Sequence, residues 1–281
     1  MTLTNAWVAT AIRVLGQCSA ELEPAGPWRW KCIVQNGVRQ SLTAKLDEGL
    51  LELAGKTEEH DVTSRALEEA LCANQALPGG VRFALVGHGF DLHRRADIML
   101  REDALLLSRV RWTLAGFHPD PPKPHDEDVA DPTISAPRLG LGELLYESAW
   151  VFTERGPNVF SVDLGSSPAT PATISVQNNG LVLCVELAHG APMTEAASQA
   201  LTLFLLTANS VLRLARAYRV DEGGQQWFGL QVCLPPSPTA GELEEGLAAL
   251  SVAHRSCVRE AKALLDDAAA RCYLSVRDAQ S

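Results

Sequence analysis

Apolar residues recur along this chain with two periods, and the order in which those periods alternate is written twice. In the second half Leu201, Phe204, Leu205 and Ala208 share the face of an α-helix that gives out near Ala208-Asn209-Ser210. A period of two follows through Leu212, Leu214, Tyr218 and Val220. It passes the turn signal Asp221-Glu222-Gly223-Gly224 and resumes in Phe228, Leu230, Val232 and Leu234, which predicts a β-hairpin. Beyond Pro235-Pro236-Ser237-Pro238, the stripe Leu243, Leu247, Leu250, His254 and Cys257 is helical again. The first half holds the same grammar. Leu67, Ala70 and Leu71 make a helix ending at Ala73-Asn74, Pro78-Gly79-Gly80 breaks it, and Val81, Phe83 and Leu85 alternate. After Gly87-His88-Gly89, Leu92, Ala96 and Ile98 alternate back, and Leu106, Val110, Leu114 and Phe117 close with a helix. A repeated order of elements with matching turns is an internal duplication.

Each copy is preceded by further elements. Val8, Ile12, Leu15, Ser19 and Leu22 step by three and four, predicting an opening helix that ends before Pro24-Ala25-Gly26-Pro27. Three strands follow: Trp28 to Val34, Val38 to Leu46 after the hairpin signal Asn36-Gly37, and Leu50 to Ala54. Glu58 to Asp61 open the next helix. In the second half Leu141, Leu144, Leu145 and Ala149 predict a short helix. Phe160 to Leu164 and Ile174 to Val176 read as strands, and Leu181 to Leu187, apolar on both faces, reads as a central one. The prediction is an α+β protein of two tandem α-β-β-β-α-β-β-α domains, each an antiparallel sheet packed against helices. Residues 1–118 form the first domain and 138–281 the second. Gly49 corresponds to Gly180 and Asn74 to Asn209, so the second copy holds four extra residues between these points, assigned to the loop around Gly190. Ala261, Leu264, Leu265 and Ala268 prolong the last stripe, an extension long enough to cover the other domain.

Composition changes between His118 and Pro137, where six of the sixteen prolines stand with five acids and one lysine; residues 119–137 read as an extended linker. The whole chain of 281 residues carries a formal charge of −10, which argues against unaided binding to nucleic acid. Seven cysteines, none in a CxxC pair and most on apolar stripes, point to a reducing compartment. No basic segment leading into an apolar run opens the chain and no window is long and apolar enough to span a membrane, so the expectation is a cytoplasmic protein.

Candidate chemistry changes this picture little. His88 sits in the predicted turn Gly87-His88-Gly89 and His93 on the polar face of the strand after it, with no carboxylate or thiolate at ligand spacing. His118, His125 and Asp126 fall in the linker, and His254 falls on an apolar helix stripe. Ser166 and Ser167 lack a G-x-S-x-G elbow, and the glycine clusters lack the Lys-Ser/Thr of a phosphate loop. Arg94-Arg95 and Arg109-Val110-Arg111 form no extended basic stripe. The reading is no enzyme and no cofactor or metal.

The two hairpins with their closing helices, Val81 to Phe117 and Leu212 to Cys257, occur in the order found in the secretion chaperones of type III secretion systems, and the chain resembles that CesT/Tir-chaperone family once per half. Family members are usually single-domain dimers. The resemblance implies a tandem chaperone whose halves pair as a pseudo-dimer, monomeric or as a homodimer. It also implies a partner that is a secreted effector or secretion-system component, held as an extended segment by strand addition and groove filling. By helix position the groove residues would be Val8, Ile12 and Leu15 on the first helix and Leu141, Leu144 and Leu145 on its counterpart. The alternative is a regulatory or scaffold protein of the same system that binds a folded partner; an open sheet edge favours the first reading, an edge sealed by the other half the second.

Overall fold

A computed structural model describes residues 3–36, 38–57, 63–87, 91–101, 105–118, 140–165, 169–177, 180–190, 193–235 and 238–279. The protein is α+β, with two six-stranded antiparallel sheets, each packed against helices. The first unit runs α1 (Leu3–Cys18), β1 (Glu21–Gly26), β2 (Arg29–Asn36), β3 (Val38–Asp47), β4 (Leu50–Lys56), α2 (Ser64–Ala73), β5 (Arg82–Val86), β6 (Asp91–Met99) and α3 (Leu106–Ala115). The second runs α4 (Leu141–Tyr146), β7 (Phe152–Gly156), β8 (Val159–Asp163), β9 (Pro171–Gln177), β10 (Gly180–Gly190), α5 (Glu195–Ala208), β11 (Ala215–Glu222), β12 (Gln225–Leu234), α6 (Ala240–Ala263) and α7 (Asp267–Asp278). The sheet orders are β1-β2-β3-β4-β6-β5 and β7-β8-β9-β10-β12-β11, so the duplication holds strand for strand. As its two-sided apolar pattern predicts, β10 is a central strand.

Each unit has one strand more than the expected three before its middle helix. β1 and β7 are edge strands with almost no buried face, so neither carries the alternation by which strands are recognised. β1 includes Pro24, tolerated because an edge strand needs hydrogen bonds on one side only. The opening helix therefore stops at Cys18, and Leu22 belongs to β1. Trp28, expected on the buried face of β2, sits in the β1–β2 turn at φ 55 and is 54% exposed.

The first core gathers α1 and α3 over the inner face of the first sheet, with Val14, Leu15, Trp30, Cys32, Leu42, Leu51, Leu53, Ile98 and Val110 buried. The second core is larger and takes in residues of the first unit. Leu67, Ala70 and Leu71 of α2 join the α5, α6 and sheet residues of the second unit, because α2 packs on α5 and β11 while α5 packs on β5. These crossed contacts join the two units reciprocally.

Local chemistry sets the helix boundaries. Thr63, Thr194 and Asp266 cap α2, α5 and α7 by accepting from the N–H three residues on. At α6 Thr239 and Glu242 form a reciprocal capping box. The helix begun by Thr63 opens later than the Glu58 to Asp61 expectation; residues 58–62 lie outside the described set, as do Gly37, His88 and the whole linker 119–137. The four extra residues of the second copy do not lie in the connection: β10 has 11 residues against 7 in β4 and α5 has 14 against 10 in α2, while the connection between strand and helix falls from seven residues to four. The C-terminal extension breaks at Leu264, restarts at Asp266, and lies on α5 of its own unit, where the Arg277 guanidinium donates to Thr207 Oγ1 at 2.7 Å. Its stripe is thus spent on the second domain.

Leu214 explains a register difference in the second hairpin. Its φ of 60 turns the chain before β11, so Leu212 is buried ahead of the strand and Ala215 and Ala217 then face the core, with Tyr218 and Val220 on the other side. The first unit makes the corresponding turn at Gly79-Gly80, φ 65 and 69. A Cβ at Gly79 would stand 2.3 Å from Thr113 Cα. Gly79→Ala should therefore cost more than the roughly 1–3 kcal/mol of backbone strain alone. Gly224→Ala, at φ 77 with open space around it, should cost only that strain; urea denaturation of the two variants checks the ranking.

Candidate partner-binding surfaces

Each sheet ends in one inner edge facing the other unit and one outer edge facing away. At the inner edges, β5 and β11, the joint is made by side chains. Asn74 and Asn209 end α2 and α5 as C-caps and are fully buried. The Phe83 N–H donates to Asn74 Oδ1 at 2.6 Å, and Asn74 Nδ2 donates to the carbonyls of Phe83 (3.3 Å) and, across the joint, Ala217 (3.0 Å). Asn209 repeats this: it accepts from Ala217 N at 2.6 Å and donates to Ala217 O at 3.2 Å and Phe83 O at 3.0 Å. The outward groups of both edge strands at these positions are thereby satisfied without strand pairing.

Two arginines cross beside them. Arg82 donates to the carbonyls of Asn209 (2.8 Å) and Leu212 (2.6 Å) and pairs with Asp97 at 2.9 Å; Asp97 also accepts from Leu214 N at 2.8 Å. Arg216 donates to Leu77 O at 2.7 Å, to Val81 O, to Gln75 O at 3.4 Å and to Cys233 Sγ at 3.1 Å. The neighbours Arg95 and Gln231 also correspond: Arg95 donates to Ser210 O, and Gln231 to Asn74 O and Gln75 O at 3.0 Å each. Farther out, Arg109 of α3 meets Glu242 of α6 in a bidentate buried pair, at 3.0 and 3.1 Å. Burying a guanidinium is tolerable only while its charge and donors are matched. Asp97→Asn should destabilise the protein by about 3–5 kcal/mol, whereas Arg82→Met with Asp97→Leu should cost less than the sum of the single changes; a double-mutant cycle in urea reads both.

Among the described residues no strand pairs with the outer edges. β1 and β7 are exposed along most of their length, both carry a register shift near their end, and both bear charges, Glu21 and Glu23 on one and Glu154 and Arg155 on the other. Bulges and charges blunt such edges against uncontrolled pairing. Beside β7 lies an apolar surface. Tyr146 is 81% exposed and Val151 76%; the Tyr146 ring meets Phe152 edge-on at 5.1 Å, and Phe152 meets the buried Phe160 at 5.9 Å. This ladder runs from solvent into the second core. In the first unit Trp28 and Ile12 are exposed large apolar residues.

Of the six helix residues singled out from the sequence, Leu15, Leu141, Leu144 and Leu145 are buried in the cores of their own units. Val8 is half-buried, and Ile12 is 44% exposed. The structure thus brings the first-helix residues to the outer ends of the sheets but turns most of them inward. Tyr146, Val151 and Trp28 are exposed, as is Ile12. A sequence signal for the first two exists in the aromatic run around Trp150-Val151-Phe152.

Burial shifts several thiols and two histidines. The thiols of Cys32 and Cys257 are pushed up to about 11 and that of Cys184 to about 12, chiefly by desolvation, and all seven cysteines are free. Among the described residues no group of three or more His, Cys, Asp and Glu side chains is placed to hold a metal, and no helix is long and apolar enough to cross a membrane. His93 on β6 and His254 on α6 both have depressed imidazole values, from burial first; for His254 the Lys262 charge adds to it. A depressed histidine stabilises the native state above its unfolded value of about 6.5, and this contribution is lost as pH falls through the folded value. The protein should therefore lose stability between about pH 7 and pH 5, and His254→Gln should flatten that slope; thermal melts across the range check it.

No protein-family model matches this chain, and no curated protein matches it.

Proposed function

We propose that the chain is a non-catalytic binding protein of the type III secretion chaperone kind, holding an extended segment of a secreted effector or secretion-system component. Support comes first from the architecture. Two copies of one α+β unit are paired reciprocally through their middle helices and inner strands, an arrangement in keeping with the fused pseudo-dimer that the resemblance implies. The observation that carries the reading is the open β7 edge beside the Tyr146–Phe152–Phe160 ladder. Free N–H and C=O groups on an edge give an extended peptide its main-chain hydrogen bonds, and an adjoining apolar surface takes alternate side chains. Burial of Tyr146 and Val151 supplies favourable area, against the entropy of ordering the segment.

A second reading, a regulator or scaffold for a folded partner, is favoured by the sealed inner edges and by the charges and bulges on the outer ones. The two differ in what the partner does. The test is capture of partners by the tagged protein, followed by hydrogen exchange on the recovered complex and binding of the partner's isolated N-terminal segment. New protection along β7 with binding of the isolated segment supports the chaperone reading. Tyr146→Ser with Val151→Asp, both at exposed positions, should then weaken binding at least about tenfold, roughly 1.4 kcal/mol, without lowering the melting temperature. Binding only to the folded partner, or binding unchanged by that double substitution, overturns it in favour of the second reading.

A further inference from the structure

The joint between the units departs from its own symmetry at one place. Arg82 and Arg216 occupy equivalent positions on β5 and β11, and they pair across the sheet with Arg95 and Gln231. Two residues beyond those partners stand Asp97 and Cys233. The Asp97 carboxylate neutralises Arg82; at the same place Arg216 has a sulfur at 3.1 Å. Arg216 is 1% exposed, and among the described residues it makes no ion pair with a carboxylate and its Nε finds no acceptor. A buried guanidinium without a carboxylate is an anion site short of its anion. Cys233 is half-buried and lines a cleft of about 50 Å³ with Gly79, Gly80, Asp97 and Leu214.

We propose that Cys233 is an oxidation site whose sulfinate completes this joint, taking beside Arg216 the place that the Asp97 carboxylate holds beside Arg82. The oxidant is hydrogen peroxide. In each of two steps the sulfur attacks one peroxide oxygen, the O–O bond breaks, one oxygen stays on sulfur and the other leaves as water; the thiol and two peroxides become a sulfinic acid and two waters. The acid releases its proton to solvent. A sulfinate on Cβ matches an aspartate carboxylate in charge and in its two acceptor oxygens, and Arg216 stands ready as its counter-ion. Leu214 N donates to Asp97, and Gly80, with the same left-handed backbone, stands at the equivalent position beside Cys233. Oxidation therefore tightens the association of the two units.

The test is graded peroxide treatment of the full chain, with peptide mass spectrometry and thermal melts, beside Cys233→Asp and Cys233→Ser. Cys233 should gain two oxygens at peroxide levels that leave Cys184 and Cys257 as thiols, with the exposed Cys272 as reference. The melting temperature should rise by about 2–4 °C. Cys233→Asp should melt above Cys233→Ser without peroxide, and neither variant should respond to it. Oxidation of Cys272 with Cys233 untouched, an oxidised protein that melts no higher, or Cys233→Asp melting below Cys233→Ser would overturn the proposal. None of these readouts depends on the binding partner.

Discussion

The fold depends on how two buried sheet edges are satisfied without pairing to each other. An edge strand exposes a row of amide and carbonyl groups, and burying that row unpaired costs more than a small domain can spare. Here two asparagines at helix C-caps each serve both edges, and two arginines cross to the carbonyls that follow the opposite helix. Helix ends and edge strands are both places where backbone groups lack regular partners, and the joint matches one set of deficits to the other. Because Leu67, Ala70 and Leu71 lie in the core of the other unit, the hydrophobic and the polar parts of the joint stand or fall together.

That constraint also distributes the surfaces. With the inner edges closed, what remains open lies at the far ends of the two sheets, where β1 and β7 are bulged and charged. The two ends are unequal. α1 has 16 residues and covers its sheet well, while α4 has only 6 and leaves an aromatic ladder exposed next to β7. On the other side of the second unit α7 adds a further layer on α5. The duplicated units have diverged most at the periphery and least at the joint, where almost every group has its counterpart and Cys233 does not.

The duplication was legible because helices and strands leave different periods in apolar residues, and a buried face cannot avoid writing its period. β10 announced itself as central by being apolar on both faces. What escaped had no such face: β1 and β7 bury little, and Pro24 and Gly26 read as a turn. The break at Leu264–Asp266 was hidden because apolar residues continue on both sides of it. Leu15, Leu141, Leu144 and Leu145 came from helical stripes, and a stripe reports that a face is covered without saying by what. For those four the cover is their own sheet; the exposed Tyr146 and Val151 lie off any stripe.

By itself the sequence determined the class of the fold, the twofold repetition, the order of nearly all elements and the turns between them, since these follow from local periodicity and from residues such as Gly and Pro with restricted or special backbone preferences. It marked Asn74 and Asn209 as equivalent but attached no role to them. Only the tertiary structure decided that these asparagines face one another's strands, that Arg82 and Arg216 are buried and that only Arg82 meets a carboxylate among the described residues, and which edges are closed. Those outcomes rest on groups more than a hundred residues apart in the chain. A side chain's hydrogen-bond partner at that separation leaves no trace in the period of its own element.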